Sequence, residues 1–447
     1  MGVFKAYDIR GVYNQDFNKE TAYKVGYFLP RLLPCEFVVV GRDTRLTSDE
    51  IFENLCNGIN DAGVDVWNIG LATTPMVYFS TVYYKAQASV QITASHNPKQ
   101  YNGMKISRAM AIPVGGDTGL KELERMVNEE KVEPVCACKR GKVIDKDVHE
   151  AYLSYLKGFL PVLSNLNLTV DCSNGMSSLY VHELFGDHAK YLNDHLDGNF
   201  PAHEPNPLEV KNCAQIMAAV PANKSDCGVI YDGDADRVMF IDELGRFIQP
   251  DYVTAIIGKY YLSKEKGSVL VDIRTSRSTT EYLEKLGATQ VFIWKVGHAY
   301  AKLKIREEHC IFGGELAGHY YFRDFNNCDS GLLASLLVLQ TVSALKKEGK
   351  TLSQLVDEIV VYANSGENNF KLEDKDGAMN ALYEKYSKLN PTKLLDFDGY
   401  RIEFPTWWFN VRKSNTEPYL RVVAEAKTKE ELDQHFKEIE GIIKQFH

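Results

Sequence analysis

A chain of 447 residues is long enough for three or four domains at roughly 100–200 residues each, and large enough to need neither disulfides nor structural metals for a core. Its 45% hydrophobic and 25% charged content is that of ordinary soluble globular protein. The formal charge of −9, with no block of like charge, argues against a nucleic-acid partner, and an anionic ligand would have to be drawn in by local cations against the overall field.

In chain order, the first predicted strand is Phe37–Val40, which runs into the polar loop GRDTRLTS (41–48) and a helix over Ser48–Ala62. A second strand, Val90–Thr93, runs into ASHNP (94–98). Residues 129–147 read as a charged linker. The pattern then repeats weakly: Leu168–Val170, the loop DCSNGMSS (171–178) and a helix over Ser177–Phe185, followed by Val229–Tyr231 running into DGDADR (232–237) and a strand over Val238–Ile241. After a turn-rich crossing at Glu243–Pro250 it repeats again: Val269–Val271, DIRTSRST (272–279), a helix over Ser278–Leu286, and Cys310–Phe312 running into GGELAGH (313–319). Each third of the chain thus delivers a polar loop from the end of an apolar strand, where ligand chemistry sits in α/β sheets. From about residue 365 the pattern changes to a polar stretch, a helix over Ala378–Leu389, strands at Gly399–Glu403, Trp407–Val411 and Tyr419–Ala426, and a helix over Glu430–Phe446. The fold expected is three related α/β domains with mixed sheets plus a smaller α+β C-terminal domain, with boundaries at 1–140, 148–248, 249–363 and 364–447.

Neither end of the reading points to a membrane. Residues 1–13 lack an apolar segment, Ala6 stands where a myristoylation start needs Ser or Thr, and the apolar run Leu332–Leu339 is too short to span a bilayer. A soluble, cytoplasmic protein, monomeric or a small homo-oligomer, is expected. The nine cysteines are odd in number and form no C-x-x-C pair, which fits a reducing compartment; Cys136 and Cys138 are the one close pair and a weak candidate for metal binding.

Four loops carry chemistry. In Thr93-Ala94-Ser95-His96-Asn97-Pro98 a serine hydroxyl stands at a strand end with Lys105 ten residues on, although a helix cap or Asx turn before proline has the same composition. Asp232, Asp234 and Asp236 place three carboxylates on one side of an extended loop; their repulsion would be relieved by a hard divalent cation, or by water if the loop is only a solvated acidic turn. An EF-hand is excluded, since Arg237 occupies the position that needs glycine. In GGELAGH the glycines allow close backbone approach, and Glu315 and His319 suit adjacent sugar hydroxyls or, equally, a buried structural pair. Arg412-Lys413-Ser414-Asn415-Thr416-Glu417-Pro418, with Arg421 beyond, has the forks, hydroxyls and N–H groups of a phosphate site, or of a charged hairpin turn.

Taken together the four loops describe phosphosugar transfer with a substrate held at both ends. The chain resembles the α-D-phosphohexomutase superfamily, closest to its bacterial phosphomannomutase/phosphoglucomutase branch. The likeness runs through Tyr7-Asp8-Ile9-Arg10-Gly11, TASHNP (93–98), YNGMK (101–105), DGDADR (232–237), WKVGH (294–298), GELAGH (314–319) and RKSNTEP (412–418). The resemblance implies four domains around a central active-site cleft, with a phosphoserine at Ser95 and Mg²⁺ held by Asp232, Asp234, Asp236 and a serine phosphate oxygen. It implies sugar binding by Glu315 and His319 and a distal phosphate loop of Arg412, Ser414, Asn415 and Thr416. Tyr7, Arg10, Lys105, Arg274 and His298 match cleft residues; Arg10, Lys105 and His298 are the family-like candidates for proton handling or phosphate stabilisation. Arg237 and Arg421 join the substrate-binding set. Two departures bear on sugar preference: Ala317 replaces a common serine, and Arg274 a lysine.

The expected reaction interconverts hexose 1-phosphate and hexose 6-phosphate, of mannose, glucose or both. It passes through phospho-Ser95 and a bound 1,6-bisphosphate, with glucose or mannose 1,6-bisphosphate as activator. Rivals are a phosphoglucosamine mutase, whose corresponding loop usually reads GEQSGH, and a Mg-dependent sugar-phosphate phosphatase using Asp232 as nucleophile. A non-catalytic sugar-phosphate binder is a third, but binding alone needs neither the serine nor the carboxylates.

Overall fold

The computed structural model describes residues 2–414 and 419–446. The chain forms two compact units: residues 1–250 with 317–353, and residues 251–316 with 354–447.

In the first unit, one mixed sheet runs in the order Ile9–Val12, Tyr101–Arg108, Ala88–Ile92, Phe37–Arg42, Asp65–Leu71 and Val143–Asp145, with Ile112–Pro113 added to Tyr101–Arg108. Phe37–Arg42 is parallel to both Asp65–Leu71 and Ala88–Ile92, whereas Tyr101–Arg108 is antiparallel to Ala88–Ile92. Every residue of Ala88–Ile92 is buried, because helices cover both faces of a sheet with parallel crossovers. A second sheet has the order Phe247–Ile248, Val238–Asp242, Cys227–Tyr231, Leu168–Asp171 and Ala189–Leu192. The apolar helix Gly331–Lys347 packs on this second sheet, and the buried Tyr231 hydroxyl donates to Ser335 Oγ at 2.6 Å. That burial is why a segment so far along the chain belongs to the first unit.

In the second unit, Ser268–Asp272 pairs in parallel with Gln290–Trp294 and with Phe312–Gly314. The C-terminal sheet is antiparallel: Lys393–Leu395, Tyr400–Glu403, Trp407–Lys413 and Tyr419–Ala426 in order, with Ala363–Asn364 and Asn368–Lys371 on the far edge of the last strand. Helices Lys375–Tyr386 and Lys429–Ile443 bury Leu382, Ile439 and Ile443 with Phe409, Val411 and Val422 of the sheet. The architecture is thus the expected α/β arrangement with mixed sheets and a C-terminal α+β region.

Three sequence expectations change. The helix over Ser177–Phe185 is a 3₁₀ turn, Met176–Leu179, followed by a short α-helix, Val181–Phe185. Ser178 Oγ donates to Gly175 O, the local backbone bonding that makes serine compete with helix. The strand expected over Cys310–Phe312 is Phe312–Gly314, since Cys310 N closes the preceding helix on Ile305 O. The aspartate loop is not extended: it folds back through Ala235, which has φ +58°. No helix among the described residues is long and apolar enough to cross a membrane.

Candidate active site

In the first unit the serine loop is fixed from behind. Strand Ala88–Ile92 ends just before it, and Ser95 takes a left-handed backbone (φ +51°) with its N–H donating to Thr93 Oγ1 at 2.8 Å. Holding a non-glycine residue there needs outside support. Arg45 supplies it: Nη2 donates to Ser95 O (2.8 Å) and Asn97 O (2.6 Å), Nη1 to Pro98 O (2.8 Å) and Tyr101 O (3.0 Å). Arg45 is itself held by Asp43, whose carboxylate accepts from Arg45 Nε at 3.1 Å and from Ser48 Oγ at 2.6 Å. Desolvation pulls the Arg45 pKa down, and Asp43 and Asp234 oppose it.

The aspartate loop comes to the same place. Ser95 Oγ donates to Asp232 Oδ2 at 2.8 Å, across 137 residues of chain. Gly233 and Gly175 make that approach possible: a Cβ on Gly233 would lie 2.6 Å from Ser95 O, and one on Gly175 2.7 Å from Gly233 O. Lys105 Nζ donates to Asp234 Oδ2 at 2.8 Å and to Asp236 Oδ2, and Thr74 Oγ1 donates to Asp234 Oδ2 at 2.6 Å. Arg10 pairs with Asp8 and donates through Nη1 to Asn97 Oδ1 at 2.7 Å.

Ligand atoms of Asp232, Asp234 and Asp236 lie within 4.8 Å of one another, and all three residues are buried. Among the described residues, Asp234 Oδ1 and Asp236 Oδ1 are buried without a hydrogen-bond partner. Burial first, and then the charges of Asp234 and Asp236, push the Asp232 carboxyl well above its ordinary range. Burial acts the same way on Asp236, but opposing charge, Lys105 foremost, more than offsets it and holds that carboxyl low. Three carboxylates, two of them with an orphaned oxygen, and one hydroxyl form an all-oxygen set with the donors to hold a hard metal ion.

His319 borders this cluster in a fixed tautomer. Arg237 Nε donates to His319 Nε2 at 2.9 Å, so the proton is on Nδ1, which lies 2.7 Å from Asp329 Oδ2. His96 Nδ1 lies 3.4 Å from Ser95 Oγ. Desolvation and the neighbouring Arg237, Arg10 and Lys105 drive the His96 pKa well below its usual value, so the ring is neutral. Tyr7 is half-buried just ahead of strand Ile9–Val12, and Ala317 is half-buried within the glycine-rich loop.

The second unit gathers arginines. Arg274 leaves the end of strand Ser268–Asp272 and grips Asp272 through Nε (3.1 Å) and Nη2 (2.8 Å), while Nη1 reaches Glu367 Oε2 at 2.9 Å. The other Glu367 oxygen pairs with Arg421 Nη1 at 3.1 Å. Burial opposes the Arg274 charge, but Asp272 and Glu367 overcome it and raise its pKa well above the ordinary value. Arg412 lies opposite Arg421 in the sheet register, donates through Nε to Asp398 Oδ1 at 3.2 Å, and among the described residues keeps a buried Nη2 without a partner. Asp398 Oδ2 also accepts from Val296 N at 2.8 Å. Glu315 Oε1 accepts from Gly297 N at 2.6 Å, immediately before His298 opens the helix His298–Glu307. Ser414 N donates to Tyr419 O at 2.9 Å; Asn415 and Thr416 lie outside the described residues.

The structure therefore brings Ser95, Arg10, Lys105, the three aspartates, Arg237 and His319 together in the first unit, and Arg274, Arg412 and Arg421 onto neighbouring carboxylates in the second. Sequence reading missed Arg45, Thr74, Asp329, Glu367 and Asp398. The only signal for Arg45 was its place in a strand-end loop; the others carry none without the fold.

Known proteins share both the sequence and the fold of this chain. The chain matches the family models for phosphoglucomutase/phosphomannomutase alpha/beta/alpha domain I over residues 1–133, domain II over 150–245, domain III over 249–362 and the C-terminal domain over 367–442. It is 36% identical over 436 residues to a phosphomannomutase of Escherichia coli K12, covering 95% of this chain and 94% of that protein. It is 38% identical over 436 residues to a phosphohexose mutase of Xanthomonas campestris, covering 95% of both. A crystal structure of a phosphoglucomutase/phosphomannomutase family protein from Burkholderia thailandensis superposes with a TM-score of 0.89 at 27% identity, covering 99% of this chain and 97% of that one.

Proposed function

The chain belongs to the phosphoglucomutase/phosphomannomutase family and is a phosphohexomutase, an intramolecular phosphotransferase acting on phosphorylated sugars; from that premise we propose that Ser95 carries the phosphate it transfers. The supporting observation is the 2.8 Å contact between Ser95 Oγ and Asp232, beside two orphaned carboxylate oxygens.

Mg²⁺ would be held by Asp232, Asp234, Asp236 and an oxygen of the Ser95 phosphate, and when bound would supply charge neutralisation to the transferring oxygens. Phospho-Ser95 gives its phosphoryl group to the free hydroxyl of a hexose monophosphate, leaving the serine oxygen and forming the 1,6-bisphosphate. The bisphosphate turns end for end and returns its other phosphate to Ser95, so a hexose 1,6-bisphosphate also serves as activator. Arg10 and Lys105 sit among Asp8, Asn97, Asp234 and Asp236, where their cationic groups compensate the phosphoryl charge. Neutral His96 lies beside the hydroxyl and would take its proton, with His298 the other candidate for proton handling. Arg237 orients His319, and with Glu315 that ring takes adjacent sugar hydroxyls; Tyr7 and Ala317 border the sugar. Arg274, Arg412, Ser414, Asn415, Thr416 and Arg421 take the phosphate not being transferred, whichever end of the sugar carries it. The working domains are 1–140, 148–248, 249–363 and 364–447.

Mannose and glucose differ at C2, whereas the family resemblance puts the Glu315/His319 pair on O3 and O4, so both sugars are expected to turn over. Measured kcat/KM values separated by more than about a thousandfold, roughly 4 kcal/mol in the barrier, would contradict this. The decisive experiment is peptide mapping by mass spectrometry after brief incubation with glucose 1,6-bisphosphate. A phosphate on the Ser95 peptide supports the assignment; one on Asp232 instead makes the chain use the phosphatase-like nucleophile.

A further inference from the structure

Away from these groups, Cys136 and Cys138 stand on the segment between the first two family domains, both exposed, with Sγ atoms 2.6 Å apart. We propose that they form a dithiol which low-molecular-weight disulfides oxidise reversibly to an intramolecular disulfide.

Three observations carry this. First, the segment is held compact from both sides: Val135 N donates to Asp61 O (2.9 Å), Gly141 N to Asn60 O (3.0 Å), and Arg140 reaches Asp61 and Asn57. Within it Lys139 N closes on Cys136 O at 2.8 Å. Ordering of the ring is thus met by the fold, and closure raises the effective concentration of one thiol at the other. Second, the hydrogen bond between the two thiols pulls their acidities apart. The Cys138 thiol, hydrogen-bonded to Cys136, lowers the Cys136 pKa, with backbone N–H groups of Lys139 and Cys138 assisting, while Cys138 is raised by the same contact. Burial pushes the thiols of Cys35 and Cys310 up to about 11 and those of Cys56, Cys172 and Cys213 up to about 12, so Cys136 is the favoured thiolate. Third, among the described residues no third His, Cys, Asp or Glu joins the pair in a cluster of ligand atoms, so sulfur chemistry is favoured over a zinc site.

The step balances as follows. Cys136 thiolate attacks a sulfur of the small disulfide RSSR, forming Cys136–S–S–R and releasing RS⁻. The Cys138 thiolate then attacks the Cys136 sulfur, closing the ring and releasing the second RS⁻. In sum two protein thiols and one RSSR give one protein disulfide and two RSH; protein sulfur is oxidised and RSSR is reduced.

The whole chain is incubated with glutathione disulfide, quenched by acid, digested with trypsin and mapped. Both cysteines fall on the peptide 132–139, so ring closure appears as loss of two hydrogens from that single peptide, reversed by reduced glutathione. In Cys138→Ser, a stable glutathione adduct on Cys136 is expected, formed at least tenfold faster than on Cys35. Mutase activity of Cys136→Ser and Cys138→Ser equal to the parent's shows that the variants fold. Two unmodified thiols, or an adduct on Cys136 that persists in the parent without ring closure, overturns the proposal.

Discussion

Each unit contains a buried arginine doing the same mechanical task in opposite electrostatic surroundings. Arg45 in the first unit binds four backbone carbonyls between Ser95 and Tyr101; Arg401 in the second donates to Ile273 O (2.9 Å) and Thr275 O (2.7 Å), on either side of Arg274. Arg401 also lies 3.7 Å over the Trp408 ring and pairs with Glu403. Burial pulls both guanidinium pKa values down. What each loop then presents differs. The first presents carboxylates and leaves two acceptor oxygens unsatisfied; the second presents arginines, and Arg412 leaves a donor nitrogen unsatisfied. Buried polar atoms without partners are costly, which favours the proposed uptake of a cation at the first loop and of a phosphate at the second.

The largest test of this contrast is Ser95→Ala. Turnover of glucose 1-phosphate in the presence of trace glucose 1,6-bisphosphate is expected to fall by at least about a thousandfold, roughly 4 kcal/mol; near-normal turnover would remove the reacting oxygen from the first unit's cluster.

Next comes the pH response of a carboxyl buried in the second unit. Asp251 accepts from Ser276 N and Tyr252 N but is otherwise desolvated, which raises its pKa to about 7. Because the folded value lies above the unfolded one, its contribution is most favourable below about pH 4 and is lost as pH rises toward 7. Measured by denaturant melts against Asp251→Asn, the stability of the parent should decline across that window by up to about 4 kcal/mol, and stay level above it. A constant difference from pH 4 to 8 would show that this carboxyl is ionised throughout.

Metal addition gives an intermediate effect. Saturating the apo protein with Mg²⁺ at a hundred times its Kd should stabilise it by about 2.7 kcal/mol, read as a higher Tm that EDTA reverses. Asp232→Asn should raise the Tm of the metal-free protein by relieving repulsion, and abolish the Mg²⁺ increment; an increment that survives would place the ion elsewhere.

The smallest effect is expected at Glu367, which bridges Arg274 and Arg421. Burial tends to raise its pKa, but Arg274 and Arg421 outweigh this and hold it below 4.5, so its stabilisation is present above pH 4.5 and is lost as pH falls through the depressed folded value. Glu367→Gln should cost about 2 kcal/mol of stability at pH 7 and raise the affinity for inorganic phosphate by calorimetry. Weaker phosphate binding would instead assign Glu367 to aiming the arginines at the ligand.

The strand-end loops were legible because apolar strands end abruptly in short polar runs, and that pattern is local. Ser95, the aspartate triplet and Arg412 could be named from it. The groups that fix them could not, because each is brought in only by the fold, from far along the chain or across a hairpin. Thr74, on helix Thr74–Tyr83, meets Asp234 across 160 residues, and Asp398 holds Arg412 across a hairpin. The lost helix at Ser177–Phe185 has another cause: serines bonding nearby backbone defeat a periodicity that reads as helical.

The grip of Arg45 on the loop after strand Ala88–Ile92 has a kinematic consequence. With Ser95, Asn97, Pro98 and Tyr101 tied to one guanidinium, and Gly233 wedged against Ser95 O, the hydroxyl keeps little freedom beyond rotation about its own side-chain bond. On the proposal that Ser95 carries the phosphate, two successive transfers at a stationary oxygen would require the travelling sugar to reverse its orientation, and the cycle time would depend on how readily a loosely held bisphosphate tumbles before it escapes.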